Sequence, residues 1–236
     1  VLERIDSLIE SKYVLPDMAG AYAEEFRSRY TSGAYDSYTD PAQFAEKVTD
    51  DLIEITGDSH FYIRVIEASD LGERTESSLH HPVRLFQLGE RENLGFFRLE
   101  WLEGNVGYLD LRRFSPISES KPLVDAAMSF LSAANAIVID VRENRGGAGE
   151  SLPYICSHFL PYPTQLTSWY SRATDFLKEF WTSEEIPGER LTDVPLFLLT
   201  SERTFSAAEM FAYDLQVRNR ATLVGEPTGG GAHSVD

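Results

Sequence analysis

One serine, one histidine and a pair of glycines have neighbours that would let them carry out acyl transfer together. Ser206 lies in Thr204-Phe205-Ser206-Ala207-Ala208-Glu209, directly after the apolar run Pro195-Leu196-Phe197-Leu198-Leu199-Thr200. The run reads as a buried strand and the residues after Ser206 as a helix. Its hydroxyl would then stand at the rim of a sheet, beside the free N–H groups of a helix start, where a nucleophile meets a substrate carbonyl. The same residues also spell a capping box, Ser206-x-x-Glu209, in which the serine serves only to begin a helix.

The second element is Asp140-Val141-Arg142-Glu143-Asn144-Arg145-Gly146-Gly147-Ala148-Gly149. A buried strand ends there in a glycine turn that can aim consecutive backbone N–H groups at one point, as a developing oxyanion requires. An ordinary strand-to-helix turn has the same composition. A phosphate-binding loop is a rival, but neither the G-x-x-x-x-G-K-[ST] nor the G-x-G-x-x-G spacing is present.

The third element is Asp58-Ser59-His60. A hydroxyl nucleophile needs a base that titrates near neutrality, and histidine is the usual choice. Of the other histidines, His80 and His81 fall in a polar stretch, His233 lies near the last residue, and His158 follows Cys156 on an expected helix. His158 has no evident set of ligand partners, so neither a metal nor another cofactor is expected.

Three amphipathic helices are expected before these elements. Leu2, Ile5, Leu8 and Ile9 share one helical face, and Tyr22, Phe26 and Tyr30 another. A third helix opens with Asp40 as N-cap, Pro41 at the first helical position and Gln43 at the capping-box site, carries Phe44, Val48, Leu52 and Ile55 at helical spacing, and stops at Gly57. Residues 1–57 therefore read as a helical domain.

From His60 the pattern changes to alternation in Phe61, Ile63 and Val65, as in a half-buried strand. Further strands are expected near Val83 to Leu88 and Leu94 to Leu102, the latter turning through Glu103-Gly104-Asn105 into Val106 to Leu111. A helix follows from Ser120 to Leu131, and then Ile137 to Val141 as a strand buried on both faces. Beyond the glycine loop come a helix from about Glu150, strand-like pieces near Leu166 to Tyr170 and Leu177 to Trp181, the Pro195 strand, the Ser206 helix and a strand at Ala221 to Gly225. Strands alternating with helices give an α/β core over residues 58–236.

Composition sets the remaining bounds. The chain has 236 residues, 42% of them apolar, enough for a folded core. Its formal charge of −17 argues against nucleic acid and anionic membrane as partners. No apolar run is long enough to span a bilayer. Cys156 is the only cysteine, so no internal disulfide forms, and it reads as a packing residue. The chain begins at Val1 without Met and stops at Asp236 soon after Gly229-Gly230-Gly231, and is read as a fragment of a longer protein with its α/β core cut short.

Taken in order, these elements resemble the C-terminal processing (tail-specific) serine peptidases. The nearest branch is the one with interphotoreceptor retinoid-binding protein domains and the tricorn core protease. The resemblance rests on Gly57-Asp58-Ser59-His60, Gly107-Tyr108-Leu109, Asp140 through Gly147, Thr200-Ser201 through Glu209, and Arg220 through Gly231. It implies a crotonase/ClpP-like α/β core behind a small helical bundle. Ser206 would be the nucleophile, and the backbone N–H groups of Gly147 (or Gly146) and Ala207 the oxyanion hole.

In the Ser–Lys members of the family a lysine activates the serine. The aligned residue here is Gly231, and no lysine follows Lys178, so that mechanism is excluded unless a lysine comes from elsewhere. The tricorn-like pattern instead makes His60 the base, with Ser59 assisting and a glutamate from beyond Asp236 completing the set. A PDZ domain has no room in the roughly 45 residues between His60 and Gly107.

The expected function is a serine-type peptidase acting on peptides or proteins. The alternative is a non-catalytic module that binds apolar ligands such as retinoid or fatty acid, with Trp169, Tyr170 and Trp181 lining a pocket. A homo-oligomer is left open, and the family suggests a periplasmic or secreted bacterial setting.

Overall fold

The computed structural model describes residues 1–66, 93–172 and 174–231. The chain divides into two compact units, a helical one at the N-terminal side and a sheet-centred one after it.

The helical unit holds α1 (Leu2–Lys12), α2 (Pro16–Thr31) and α3 (Pro41–Thr56). Ile9, Ala23, Phe26, Tyr35, Val48 and Leu52 make its core. Leu8, expected on the buried face of α1, is 41% exposed, whereas Asp6 is buried and receives Arg27 at 2.8 Å and the Tyr30 hydroxyl at 3.2 Å. The start of α3 follows the expectation: Asp40 Oδ1 accepts the N–H groups of Ala42 and Gln43, both at 2.9 Å. Gly57 closes the helix in the left-handed region at φ 70°, its N–H donating to Ile53.

Residues 61–66 form no strand, and Val65, expected on the covered side with Phe61 and Ile63, is 52% exposed. Phe61 and Ile63 pack on the helical core instead, and the Ile63 N–H is taken by Thr49 Oγ1 at 2.7 Å rather than by a ladder. The helical unit thus runs past Gly57, where the helical periodicity stops. The strand expected at 83–88 lies outside the described residues.

The sheet unit contains β1 (Phe96–Leu102), β2 (Val106–Leu111), α4 (Ile117–Leu131), β3 (Ala136–Asp140), α5 (Leu152–Cys156), β4 (Trp169–Ser171), β5 (Phe176–Lys178), β6 (Leu196–Thr200), α6 (Ala207–Gln216) and β7 (Ala221–Gly225). Its main sheet has the order β1-β2-β3-β6-β7, with β1 antiparallel to β2 and the other pairs parallel. Parallel neighbours need crossovers, and α4 and α6 are two of the helices that supply them. Ile137 and Ile139 of β3 are fully buried, whereas Val138 is only half-buried, so the strand is not sealed equally on both faces.

Candidate active site

β3 and β6 lie side by side with Asp140 opposite Leu199, so the turns that leave their C-terminal ends are neighbours. Three bonds stitch the two turns together. Thr204 Oγ1 donates to the Val141 carbonyl at 2.8 Å, Ser201 Oγ to the Arg142 carbonyl at 2.6 Å, and the Phe205 N–H to the Asn144 carbonyl at 3.0 Å. The glycine loop and the serine junction therefore form one rigid piece.

Asn144 is fully buried and organises the loop. Its Nδ2 donates to the Leu111 carbonyl at 2.9 Å, and its Oδ1 accepts the Gly146 N–H at 2.8 Å. Phe114 holds the other side: its N–H donates to the Gly146 carbonyl, and its carbonyl accepts the Ala148 N–H at 2.8 Å. Both bonds bracket Gly147, so the Gly147 N–H turns away from Phe114 and makes no hydrogen bond among the described residues. Of the two expected glycines, Gly146 has its amide spent and Gly147 has it available. Gly146 still must be glycine. Its φ is 97°, and a methyl there would lie 2.8 Å from Ala207 N and 2.9 Å from Ser206 Cβ.

Ser206 occupies an unusual backbone position, φ 54° and ψ −122°, sparsely populated by L-residues. The Ser-x-x-Glu box forms, but its well-formed arm is the glutamate's. The Ser206 N–H donates to Glu209 Oε2 at 2.8 Å, while the Glu209 N–H bonds to the Ser206 carbonyl at 2.9 Å. The serine side chain makes no cap hydrogen bond. The Ala207 N–H, first in α6, has no hydrogen-bond partner among the described residues. Ser206 is half-buried.

Glu209 is 5% exposed, and its carboxylate also accepts the N–H groups of Gly230 at 2.7 Å and Gly231 at 2.8 Å. It clamps the segment around Gly231 to the helix that Ser206 opens. Lys178 sits over the rings of Trp169 and Phe180. Trp169 packs edge-on against Phe180 beside Gly149, while Tyr170 and Trp181 are exposed on the small β4–β5 hairpin side of this unit.

A cleft of about 640 Å³ opens at the strand ends, bordered by Arg112, Arg142, Arg203, Asp140 and Glu143. Its arginines are already paired, Arg142 with Asp140 at 2.6 Å, Arg203 with Glu143 at 2.8 Å and Arg112 with Asp110 at 2.9 Å. Burial disfavours the charged form of Asp140, but hydrogen bonds from Arg142 and Tyr108 outweigh that and hold the carboxyl below its ordinary range. Ser206 does not line this cleft.

His60 belongs to the helical unit. Its Nδ1 lies 2.8 Å from Asp58 Oδ1, which also accepts the His60 N–H at 2.9 Å. Asp58 is 6% exposed; its N–H donates to Thr56 Oγ1, and its other oxygen receives the Tyr13 hydroxyl at 3.3 Å. Ser59 is exposed and makes no hydrogen bond among the described residues. His158 is buried, its Nε2 has no hydrogen-bond partner among the described residues, and burial pushes its pKa down to about 4. Cys156 is fully buried, and burial raises its thiol well above the ordinary value. His80, His81 and His233 lie outside the described residues.

Sequence reasoning missed Asn144, Phe114 and Asp58 as organising residues. Two of the three stood inside the motifs already singled out, and Phe114 carried no local signal at all.

Comparison with known proteins is consistent with this architecture. Residues 105–235 match peptidase family S41, and residues 1–93 match the N-terminal domain of the S41 peptidases of eukaryotic IRBP. The chain is 33% identical over 126 residues to a carboxyl-terminal-processing protease of Synechocystis sp., covering 53% of this chain and 28% of that protein. It is 31% identical over 138 residues to the chloroplastic carboxyl-terminal-processing peptidase 1 of Arabidopsis thaliana, covering 57% and 27%. The chain thus spans less than a third of the length of these relatives. The fold is shared with a crystal structure described as a putative peptidase from Parabacteroides merdae, at TM-score 0.63 and 19% identity over 98% of this chain and 75% of that one. With the family match covering more than half of its residues, the chain belongs to peptidase family S41.

Proposed function

We propose that this chain carries the nucleophile, base and oxyanion donors of a tail-specific serine peptidase. Ser206 Oγ attacks the scissile carbonyl carbon and passes its proton to His60 Nε2. The carbonyl oxygen, now negative, is held by the amides of Gly147 and Ala207. The tetrahedral intermediate then collapses, the leaving amine takes the proton from His60, and water hydrolyses the ester by the same route. The observation that carries this reading is the state of Ser206. It is held in a strained conformation, its hydroxyl makes no well-formed cap hydrogen bond, and the amides of Gly147 and Ala207 make no hydrogen bond among the described residues.

The role of Gly147 rather than Gly146 follows from hydrogen-bond accounting, since Asn144 already occupies the Gly146 amide. Ser59, exposed and unbonded, is the weakest member of the expected set. The names of the curated relatives point to polypeptide substrates cut near their C-termini. A fluorophosphonate probe is expected to label Ser206, and the protein to hydrolyse peptides. Folded protein that does neither would refute the reading.

The match of residues 1–93 to the IRBP-type domain favours a second reading, in which the scaffold binds apolar ligands without catalysis. Quenching of tryptophan fluorescence by retinol, in protein inert to the probe, would select it.

A further inference from the structure

We infer that Asp58 is the residue that orients the catalytic base, so that the acid partner of His60 lies two residues before it in the helical unit. This rests on the proposed peptidase reading and deepens it. An ionised carboxylate can only accept, so at 2.8 Å from Asp58 Oδ1 the His60 Nδ1 must carry the proton. Neutral His60 is thereby held in the tautomer that leaves Nε2 as the proton acceptor, the form a serine nucleophile needs.

The contact is built, not incidental. The same Asp58 oxygen takes the His60 backbone N–H, which fixes the turn that joins the two residues. The second oxygen receives the Tyr13 hydroxyl from the end of α1, and the Asp58 N–H is satisfied by Thr56 at the end of α3. A carboxylate 6% exposed, with partners on both oxygens, cannot swing away without stranding them. It also stabilises the imidazolium that forms when the serine proton is taken. Ser59, the neighbour expected to assist, is exposed and makes no hydrogen bond among the described residues.

The test is Asp58→Asn in uniformly ¹⁵N-labelled protein, read by the tautomer of His60 and by steady-state kinetics. Wild-type His60 is expected as the Nδ1–H tautomer. The amide can present either end to the ring, so the variant should lose that preference. Its kcat should fall on the order of 10³-fold while KM stays within about threefold. Asp58→Glu should recover part of the rate, and Ser59→Ala should lose at least about tenfold less than Asp58→Asn.

An unchanged tautomer in Asp58→Asn, or an unchanged kcat, would overturn the role of Asp58 while leaving a labelled, active Ser206 standing. A larger loss in Ser59→Ala would do the same. Wild-type protein that holds the Nδ1–H tautomer but shows neither labelling nor hydrolysis would overturn both the role and the reading beneath it. Should Asp58→Asn fail to fold, Tyr13→Phe, which removes one of the carboxylate's supports, is expected to lower kcat by about threefold to tenfold without raising KM; no change would count against the proposal.

Discussion

Two helices in this protein begin with a residue that the sequence marks as an N-cap, and they begin in different ways. At α3, Asp40 has extended backbone at φ −82°, and its carboxylate accepts two of the helix's free N–H groups. At α6, Ser206 sits at φ 54°, its side chain faces the N3 backbone without a well-formed cap hydrogen bond, and Glu209 reaches back to take its N–H at 2.8 Å. The first start spends its side chain on stability. The second has only the glutamate's arm well formed and bears a backbone cost of about 1–3 kcal/mol, which a cap does not require and the proposed nucleophile would explain.

The contrast can be broken most directly at Ser206. Ser206→Ala should lower peptide hydrolysis on the order of 10⁴-fold or more and abolish probe labelling, while changing unfolding free energy by under about 0.5 kcal/mol. A stability loss instead of an activity loss would make Ser206 an ordinary cap. Gly146→Ala comes next. The added methyl would meet the backbone of Phe205 and Ala207 at 2.8 Å in a left-handed conformation, and denaturant titration should show a loss of about 3 kcal/mol or more.

Acid provides a control on the functional side, since activity lost below neutrality can arise from unfolding. His158 resists protonation in the folded chain until about pH 4, because burial disfavours its charged form, with Arg190 and Lys121 adding to the effect and Asp125 opposing it. The unfolded chain takes that proton near its ordinary value of 6.5. The unfolded state therefore binds more protons between these values, and stability falls as pH drops from 6.5 towards 4. The loss approaches roughly 3 kcal/mol at about 1.4 kcal/mol per pH unit. Denaturant midpoints across this window should flatten in His158→Leu, and an unchanged slope would remove His158 from the account.

The smallest effects sharpen the comparison from both ends. Asp40→Ala should cost about 1 kcal/mol, because it removes a working cap. Ser206→Gly should instead raise stability by about 1 kcal/mol, since glycine adopts positive φ without strain, even as it removes the proposed nucleophile. Opposite signs at two residues that look alike in sequence would be strong support for the distinction.

Much of this was legible from local patterns. The helices of the first unit, the α3 cap and stop, β1 with its turn into β2, β3, β6, α6 and β7 all follow from periodicity, apolar runs and turn residues, because each is set by contacts within a few residues. The segment 61–66 departs from expectation for a related reason: Phe61 and Ile63 pack on the helices, and the bond that satisfies the Ile63 N–H comes from Thr49. Serine as cap and serine as nucleophile share one local spelling, so no inspection of Ser206-x-x-Glu209 separates them.

The amino-acid order alone determined the candidates: Ser206, His60 with its preceding Asp58-Ser59, the glycine pair, and the absence of any lysine after Lys178. The tertiary structure decided what each candidate is free to do. Whether a backbone amide can receive an oxyanion depends on whether a partner has already claimed it, and those partners come from afar. Asn144, which claims Gly146, is itself anchored to Leu111, the serine turn is tied to Val141 and Arg142, and Gly147 is turned outward by Phe114. Hydrogen bonds are saturable, and which groups they saturate is settled only when distant segments have packed.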